Sequence, residues 1–181
     1  MFFAPPPAVV VPDTVIVERT SHYDIKATDE PGIVTEMNEK GPSGGDGTYW
    51  AYTNGGVSSS WDTKQLGATC VLVNPQVRVS INIVYPSWVP PAGVKPQVVA
   101  KWDAMLKAMI HHEGEHAQLA RDQGNALTAM LREHSSDSSC ERLESYLKKK
   151  DADILKRRDA ADVDLDKRTG HGSKEGVGIS W

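Results

Sequence analysis

The sequence lacks any apolar run long enough to cross a membrane as a helix. Such a helix needs about 18 or more consecutive apolar residues, and no run of that length occurs in the 181 residues. The chain also lacks an excess of positive charge, because its formal net charge is -4. The basic residues at 148–150 and 156–158 are interleaved with acids and do not form a basic patch. A negative protein is poorly suited to the phosphate backbone of nucleic acids. We therefore expect no transmembrane segment and no nucleic-acid partner.

Cysteine is scarce, since the sequence contains only Cys70 and Cys140. Neither has a second cysteine at a metal-binding spacing, which excludes a cysteine-rich zinc site. The predicted use is a disulfide between a strand and a helix, and two buried free thiols are the alternative. A structural disulfide persists in an oxidising compartment, so we expect a secreted or periplasmic protein. The first residues lack the basic and apolar regions of a signal peptide, so the expected leader is not present in this chain.

Alternating apolar and polar residues predict a sheet in the N-terminal half of the chain. The clearest alternation places Val77, Val79, Ile81, Ile83 and Tyr85 on one face. This pattern fits an antiparallel sheet with one buried face. Further strands are predicted at 14–18 and 23–27. The turn signal Asn54-Gly55-Gly56 predicts a hairpin between strands at 49–53 and 57–61.

Apolar residues recurring at steps of three and four predict a long helix over 97–134 and a second helix over 139–165. The Pro-rich residues 1–13 are predicted to form an extended N-terminal segment. No linker divides the rest of the chain, so residues 14–181 are predicted to form a single domain.

The middle of the long helix carries His112-Glu113-Gly114-Glu115-His116, an H-E-x-x-H motif. At about 100° per residue the two histidines project from one helix face, one turn apart, and can bind one metal ion. Glu113 is positioned to act as a general base on a water molecule at that ion. Both histidines lie on the apolar stripe, and buried imidazoles need partners. We predict a Zn²⁺ site; two core histidines bonded to the main chain are the alternative.

A catalytic zinc usually has three protein ligands, and the residues leave the third one open. His171 is preferred, because it lies between two glycines just after the second helix and an antiparallel return brings it towards His112. Glu144 on the second helix is an alternative. Asp122 matches the spacing of an extended motif, H-E-x-x-H-x-x-G-x-x-H/D. However, Leu119 replaces the helix-ending glycine, so a continuing helix would point Asp122 away from the metal.

Several spaced motifs follow one another in a characteristic order. They are Tyr23-x-Ile25, Gly41-Pro42, Tyr49-x-Ala51-Tyr52-Thr53, Val57, Trp61, Cys70, Pro86-Ser87-Trp88, Trp102, His112–His116, Cys140 and Asp166-x-x-Thr169-Gly170-His171-Gly172. In this order the chain resembles the bacterial DUF922 family, described as predicted secreted zinc-dependent proteases. The resemblance covers nearly the whole chain after about residue 14. It implies a zincin-like α+β fold, zinc at the two helix histidines and Glu113 as the catalytic acid/base, and it strengthens His171 as a site residue.

We therefore predict a zincin-like α+β domain in which a twisted antiparallel sheet packs on the long active-site helix, followed by a second helix. The predicted function is zinc-dependent hydrolysis of a peptide bond, with Glu113 as general base and a peptide or protein as substrate. A substrate strand is expected to add to an exposed sheet edge. Tyr49, Tyr52 and Tyr85 are equal candidates to assist the oxyanion. The alternative is a non-catalytic binding module stabilised by the same metal.

Overall fold

The computed structural model describes residues 9–44 and 47–178, which form a mixed α+β fold. Parts of the predicted N-terminal segment and of the predicted domain therefore lie outside the described residues. The elements are β1 Val15–Ile25, α1 Glu30–Lys40, β2 Ser43–Gly44, β3 Gly47–Thr48, β4 Tyr52–Leu66, β5 Thr69–Trp88, α2 Pro96–Glu133, β6 Ser136–Asp137, α3 Cys140–Thr169 and a 3₁₀ helix Ser173–Glu175.

The sheet is built around β5, which pairs with β1 on one side and β4 on the other. The short β6 is antiparallel to the start of β5, with Cys70 opposite Asp137, while β2 and β3 form a separate two-stranded sheet. The predicted alternation in β5 is confirmed, because Val77, Val79, Ile81, Ile83 and Tyr85 are all buried. One face of this strand therefore contributes to the hydrophobic core.

Two strand predictions were wrong in their limits. The separate strands predicted at 14–18 and 23–27 are one continuous strand, β1. The hairpin turn predicted at Asn54-Gly55-Gly56 is absent, because β4 continues through these residues and none of them has the positive φ that a tight hairpin turn requires. The chain reverses instead at residues 67–68, where Gly67 has φ 61°. Alternating exposure continues along β4 past Gly56, so pairing with the long β5 prevails over the local turn signal.

Both predicted long helices are confirmed, with α2 within one residue of its predicted limits and α3 extended by four residues to Thr169. The shorter α1 is capped by Asp29, the residue before its first turn, whose carboxylate accepts a hydrogen bond from Gly32 N at 2.9 Å. This side chain satisfies one of the main-chain donors that a helix start leaves unpaired. No helix within the described ranges is long and apolar enough to cross a membrane.

Two compact units are distinguished within the described residues, and the first comprises 9–17, 56–80 and 119–161. Its apolar core combines residues of β5, α2 and α3: Leu72, Val77, Leu127, Met130, Leu131, Leu143, Leu147 and Ile154. A disulfide joins Cys70 of β5 to Cys140 at the start of α3, with their Cα atoms 5.0 Å apart. The predicted disulfide between a strand and a helix is therefore confirmed.

The second unit comprises residues 18–44, 47–55, 81–118 and 162–178. Trp88 of β5 packs against Trp102 of α2 with ring centroids 5.3 Å apart, and its Nε1 donates to Ala27 O at 2.9 Å. Met105 and Met109 continue the buried face of α2 from Trp102 towards the H-E-x-x-H motif. This unit therefore contains the motif and the end of α3. That residues 14–181 form a single domain stays a prediction.

Candidate metal centre

The H-E-x-x-H residues lie on the buried face of α2. His112 is 4% exposed, Glu113 is 6% and His116 is 8%. The apolar residues one and two turns earlier on the same stripe, Met109 and Met105, are buried as well. The predicted inward orientation of the two histidines is confirmed, and it follows from their place on the apolar stripe.

Asp166 of α3 brings a carboxylate to the two imidazoles. The Nε2 atoms of His112 and His116 are 3.2 Å apart. Asp166 Oδ1 lies 3.3 Å from His112 Nε2 and 3.1 Å from His116 Nε2. The three atoms form a nearly equilateral triangle. Because the ligands of a tetrahedral ion with bonds of about 2.0 Å are about 3.3 Å apart, these residues fit a small divalent metal ion.

A second carboxylate orients each imidazole from its other nitrogen. His116 Nδ1 lies 2.8 Å from Asp162 Oδ1, and His112 Nδ1 lies 3.0 Å from Glu175 Oε2. An ionised carboxylate only accepts hydrogen bonds, so this arrangement favours the proton on Nδ1 and leaves the Nε2 lone pair directed into the triangle. Three acceptors that converge in a largely buried place are unfavourable unless a proton or a metal cation lies between them. Metal-binding histidines commonly have such carboxylate partners.

The carboxylates around the two histidines change the pKa values of the site. Burial lowers the pKa of His116, but the hydrogen bond and charge of Asp162, with the charges of Asp166 and Glu113, exceed this effect and leave the pKa raised. Burial raises the pKa of Glu113, and hydrogen bonding by Thr53 and the two nearby histidines oppose this only in part. Buried groups with perturbed pKa values in a cleft are typical of functional sites.

The turn after α3 is shaped by Thr169-Gly170-His171-Gly172. Gly170, His171 and Gly172 all have positive φ, at 61°, 52° and 75°. The buried Thr169 hydroxyl accepts a hydrogen bond from Gly172 N at 3.2 Å. A Cβ on residue 172 would lie 3.1 Å from His112 Cγ. Glycine is therefore needed here both for the backbone conformation and for the close approach to the imidazole.

His171 lies beside the converging ligand atoms. Its Nδ1 is 3.4 Å from Asp166 Oδ1, and its side chain is 60% exposed. Its ring centroid is 6.2 Å from that of Tyr49. The structure thus brings His171 to the same pocket, while Asp166 is the residue that completes the close triangle with the two helix histidines. The assignment of His171 as a metal ligand stays a prediction.

The other two predicted ligands, Glu144 and Asp122, belong to the first unit. The Glu144 carboxylate accepts hydrogen bonds from Thr63 Oγ1 at 2.8 Å and Lys148 Nζ at 3.1 Å. Asp122 is exposed on α2, which continues without a break past Leu119, as expected from the missing glycine. Neither residue belongs to the group of converging ligand atoms found among the described residues.

Sequence reasoning did not assign Asp166, Asp162 or Glu175 to the site. A signal for two of them was present, because Asp162 and Asp166 are four residues apart on α3. They therefore project from one helix face, one turn apart, as His112 and His116 do on α2. Glu175 gave no such signal, since it follows the turn and its position depends on three consecutive residues with positive φ.

The residues of the converging ligand atoms line a pocket of about 280 Å³. Its lining residues are Thr48, Tyr49, Trp50, Ala51, Tyr52, Thr53, His112, Glu113, His116, Asp166, His171 and Val177. The rings of Tyr49 and Tyr52 are stacked with centroids 5.6 Å apart. Glu113 and the candidate metal ligands thus share one cleft with an aromatic wall.

Fold and site together define a mixed α+β protein in which two helix histidines and one aspartate form a group that could hold a metal ion. Residues 20–172 match the model of a family described as bacterial protein of unknown function (DUF922). The chain belongs to this family, as its motifs indicated. Neither the curated proteins nor the solved structures contain a significant match.

Proposed function

We propose that this protein is a zinc-dependent metallopeptidase. The observation that supports this most strongly is the triangle of His112 Nε2, His116 Nε2 and Asp166 Oδ1, with separations of 3.1–3.3 Å, beside the buried carboxylate of Glu113. Two imidazoles and one carboxylate are the donor set of many catalytic zinc sites, in which a fourth position stays open. A zinc ion there supplies a polarised substrate carbonyl and a coordinated water with a pKa of about 7.

Glu113 is the proposed general base and acid. It accepts a proton from the water that attacks the carbonyl carbon and delivers that proton to the amine nitrogen as the carbon–nitrogen bond breaks. Its raised pKa supports the first step, since a carboxylate whose acid has a higher pKa is a stronger base. Asp162 and Glu175 hold the two imidazoles in the orientation that directs Nε2 to the ion.

We propose that the substrate chain runs beside residues 48–53. This segment lines the pocket and leads into β4, an edge strand in the described sheet order. Edge strands have main-chain groups to which an extended peptide can bind. Tyr49 and Tyr52 line the pocket, whereas Tyr85 is absent from its lining, so we prefer the first two as groups near the substrate carbonyl. A zincin-like fold and a secreted or periplasmic location are part of the proposal, and the disulfide supports the latter.

The test separates metal binding from catalysis by replacing one carboxylate oxygen of Glu113 with an amide nitrogen. We expect the zinc-loaded protein to cleave casein, an unstructured protein. We expect Glu113→Gln to keep one equivalent of zinc and to lower the rate by a factor of about 10²–10⁴, the usual contribution of acid–base catalysis. Glu133→Gln is the matched control, because Glu133 is exposed at the end of the same helix and its loss should leave the rate unchanged.

The alternative is a non-catalytic binding module that retains the metal. It is favoured if the zinc-loaded wild type cleaves neither casein nor a mixed peptide library under conditions in which zinc stoichiometry is verified. Full activity in Glu113→Gln would contradict the assigned role of Glu113, and absence of stoichiometric zinc at the two helix histidines would contradict the whole proposal.

A further inference from the structure

A second group of ligating side chains lies on the neighbouring face of α2. His111 and Glu115 are four residues apart on this helix, and Glu175 reaches them from the 3₁₀ helix. One ligand atom from each of the three lies within 4.8 Å of the others. One imidazole and two carboxylates form a donor set that suits divalent transition-metal ions such as Zn²⁺.

The Glu115 carboxylate gives a second, independent indication. Its Oε1 accepts a hydrogen bond from Arg168 Nη2 at 3.1 Å. Its Oε2 is buried and has no hydrogen-bond partner among the described residues, and it lies 3.9 Å from His111 Nε2. A buried carboxylate oxygen without a donor is unfavourable. Arg168 thus fixes the carboxylate through one oxygen, while the other oxygen faces the imidazole and has no hydrogen-bond donor among the described residues.

The charge around this group also favours a cation. Glu115 and Glu175 contribute two negative charges and Arg168 one positive charge, so these three side chains together carry a net negative charge. Glu175 Oε2 accepts from His112 Nδ1, but a carboxylate has about four lone-pair positions and can bind an ion at the same time. Glu175 would then connect this group to the centre at His112.

We propose that His111, Glu115 and Glu175 form a second binding site for a divalent transition-metal ion, separate from the site at His112, His116 and Asp166. The second site binds more weakly than the first. Its ligand atoms are up to 4.8 Å apart and must move closer to one ion, and the His111 side chain is 68% exposed and loses rotamer freedom on binding. This inference does not depend on peptide hydrolysis.

The test is a titration of metal-free protein with Zn²⁺ in an isothermal calorimeter. Elemental analysis after equilibrium dialysis gives the number of bound ions independently. We expect two ions per chain, the second with a dissociation constant about tenfold or more above the first. His111→Ala and Glu115→Gln should each remove the weaker ion and keep the tighter one. His112→Ala should remove the tighter ion. His22→Ala is the matched control, since His22 is also exposed and belongs to neither ligand group.

Each result decides the proposal, and a wild type that binds no ion overturns it. Retention of the weaker ion in both His111→Ala and Glu115→Gln overturns it, as does its loss in His22→Ala. If the wild type binds only one ion, loss of that ion in His111→Ala but not in His112→Ala supports the site, and the reverse overturns it. Because the measurement is metal stoichiometry, an inactive but metal-binding protein still gives a clear answer. Failure of the peptidase proposal is therefore distinguishable from failure of this one.

Discussion

At the scale of single residues, one carboxylate decides whether the two imidazoles become a three-ligand site. Asp166 Oδ1 is within 3.3 Å of both Nε2 atoms, whereas Asp162, one turn earlier on α3, contacts the outer nitrogen of His116. His171 approaches the same Asp166 oxygen from the exposed side. The three residues therefore differ in what their loss should do to metal affinity.

We predict that Asp166→Ala weakens zinc binding more than Asp162→Ala, and that His171→Ala weakens it least. Partners of metal-binding residues typically contribute about 10–100-fold to affinity, so Asp162→Ala should fall in this range and loss of a direct ligand should exceed it. Competition with a chromophoric chelator measures all three. Loss of zinc in His171→Ala with retention in Asp166→Ala would instead make His171 the third ligand.

The sequence could identify half of this centre, and the reason is physical. His112, Glu113 and His116 are close in sequence, so helix periodicity alone places them together and inward. Asp166 comes from another helix whose acids occur on several faces, at 141, 144, 151, 153, 159, 162, 164 and 166. The four-residue spacing of Asp162 and Asp166 places these two on one helix face, but only the packing of α3 beside the motif shows that this face meets the histidines.

At the scale of elements, long strands and helices were predictable because their periodicity extends over many residues, whereas a short turn signal was not reliable. Asn54-Gly55-Gly56 has the composition of a hairpin turn, yet its residues lie within β4. Glycine permits a turn but also accepts an extended conformation, and pairing along β5 decides between them. The two glycines of α2 show a similar dependence on their surroundings.

We predict opposite effects of alanine at Gly124 and Gly114. A Cβ on residue 124 would lie 2.3 Å from Val79 Cγ2 and 2.9 Å from Thr14 Cγ2, and Val79 is fully buried. Overpacking of this kind costs about 1–3 kcal/mol, which should exceed the gain of about 1 kcal/mol in helix propensity. A Cβ at Gly114 meets nothing within 4 Å, so this variant keeps the gain.

Urea denaturation measures both free energies of unfolding. Gly124→Ala should be less stable than the wild type. The loss of stability caused by Gly124→Ala should be smaller when it is measured in the Val79→Ala variant, because the two side chains compete for one space. Equal stabilisation by both alanine variants would show that α2 moves away from β5 at little cost.

At the scale of the whole chain, the Cys70–Cys140 disulfide makes a constraint that spans a sequence separation of 70 residues. In the chain-entropy model, closing a loop of this length lowers the conformational entropy of the unfolded chain and thereby stabilises the folded state by about 4 kcal/mol. Measured stabilisation by disulfides is commonly about 2–4 kcal/mol. The sequence predicted this bond because the chain contains only these two cysteines. Its loss should therefore lower stability even when the other described core residues are unchanged.

We predict that Cys70→Ser with Cys140→Ser lowers the free energy of unfolding by about 2–4 kcal/mol, seen as a lower midpoint in urea. Reducing agent should lower the wild type to the same midpoint and leave the double variant unchanged, because no other cysteine is present. An effect of the reducing agent on the double variant would point to a cause other than this bond. If wild type and double variant unfold together under oxidising conditions, the disulfide does not constrain the unfolded chain, and its support for an oxidising compartment is lost with it.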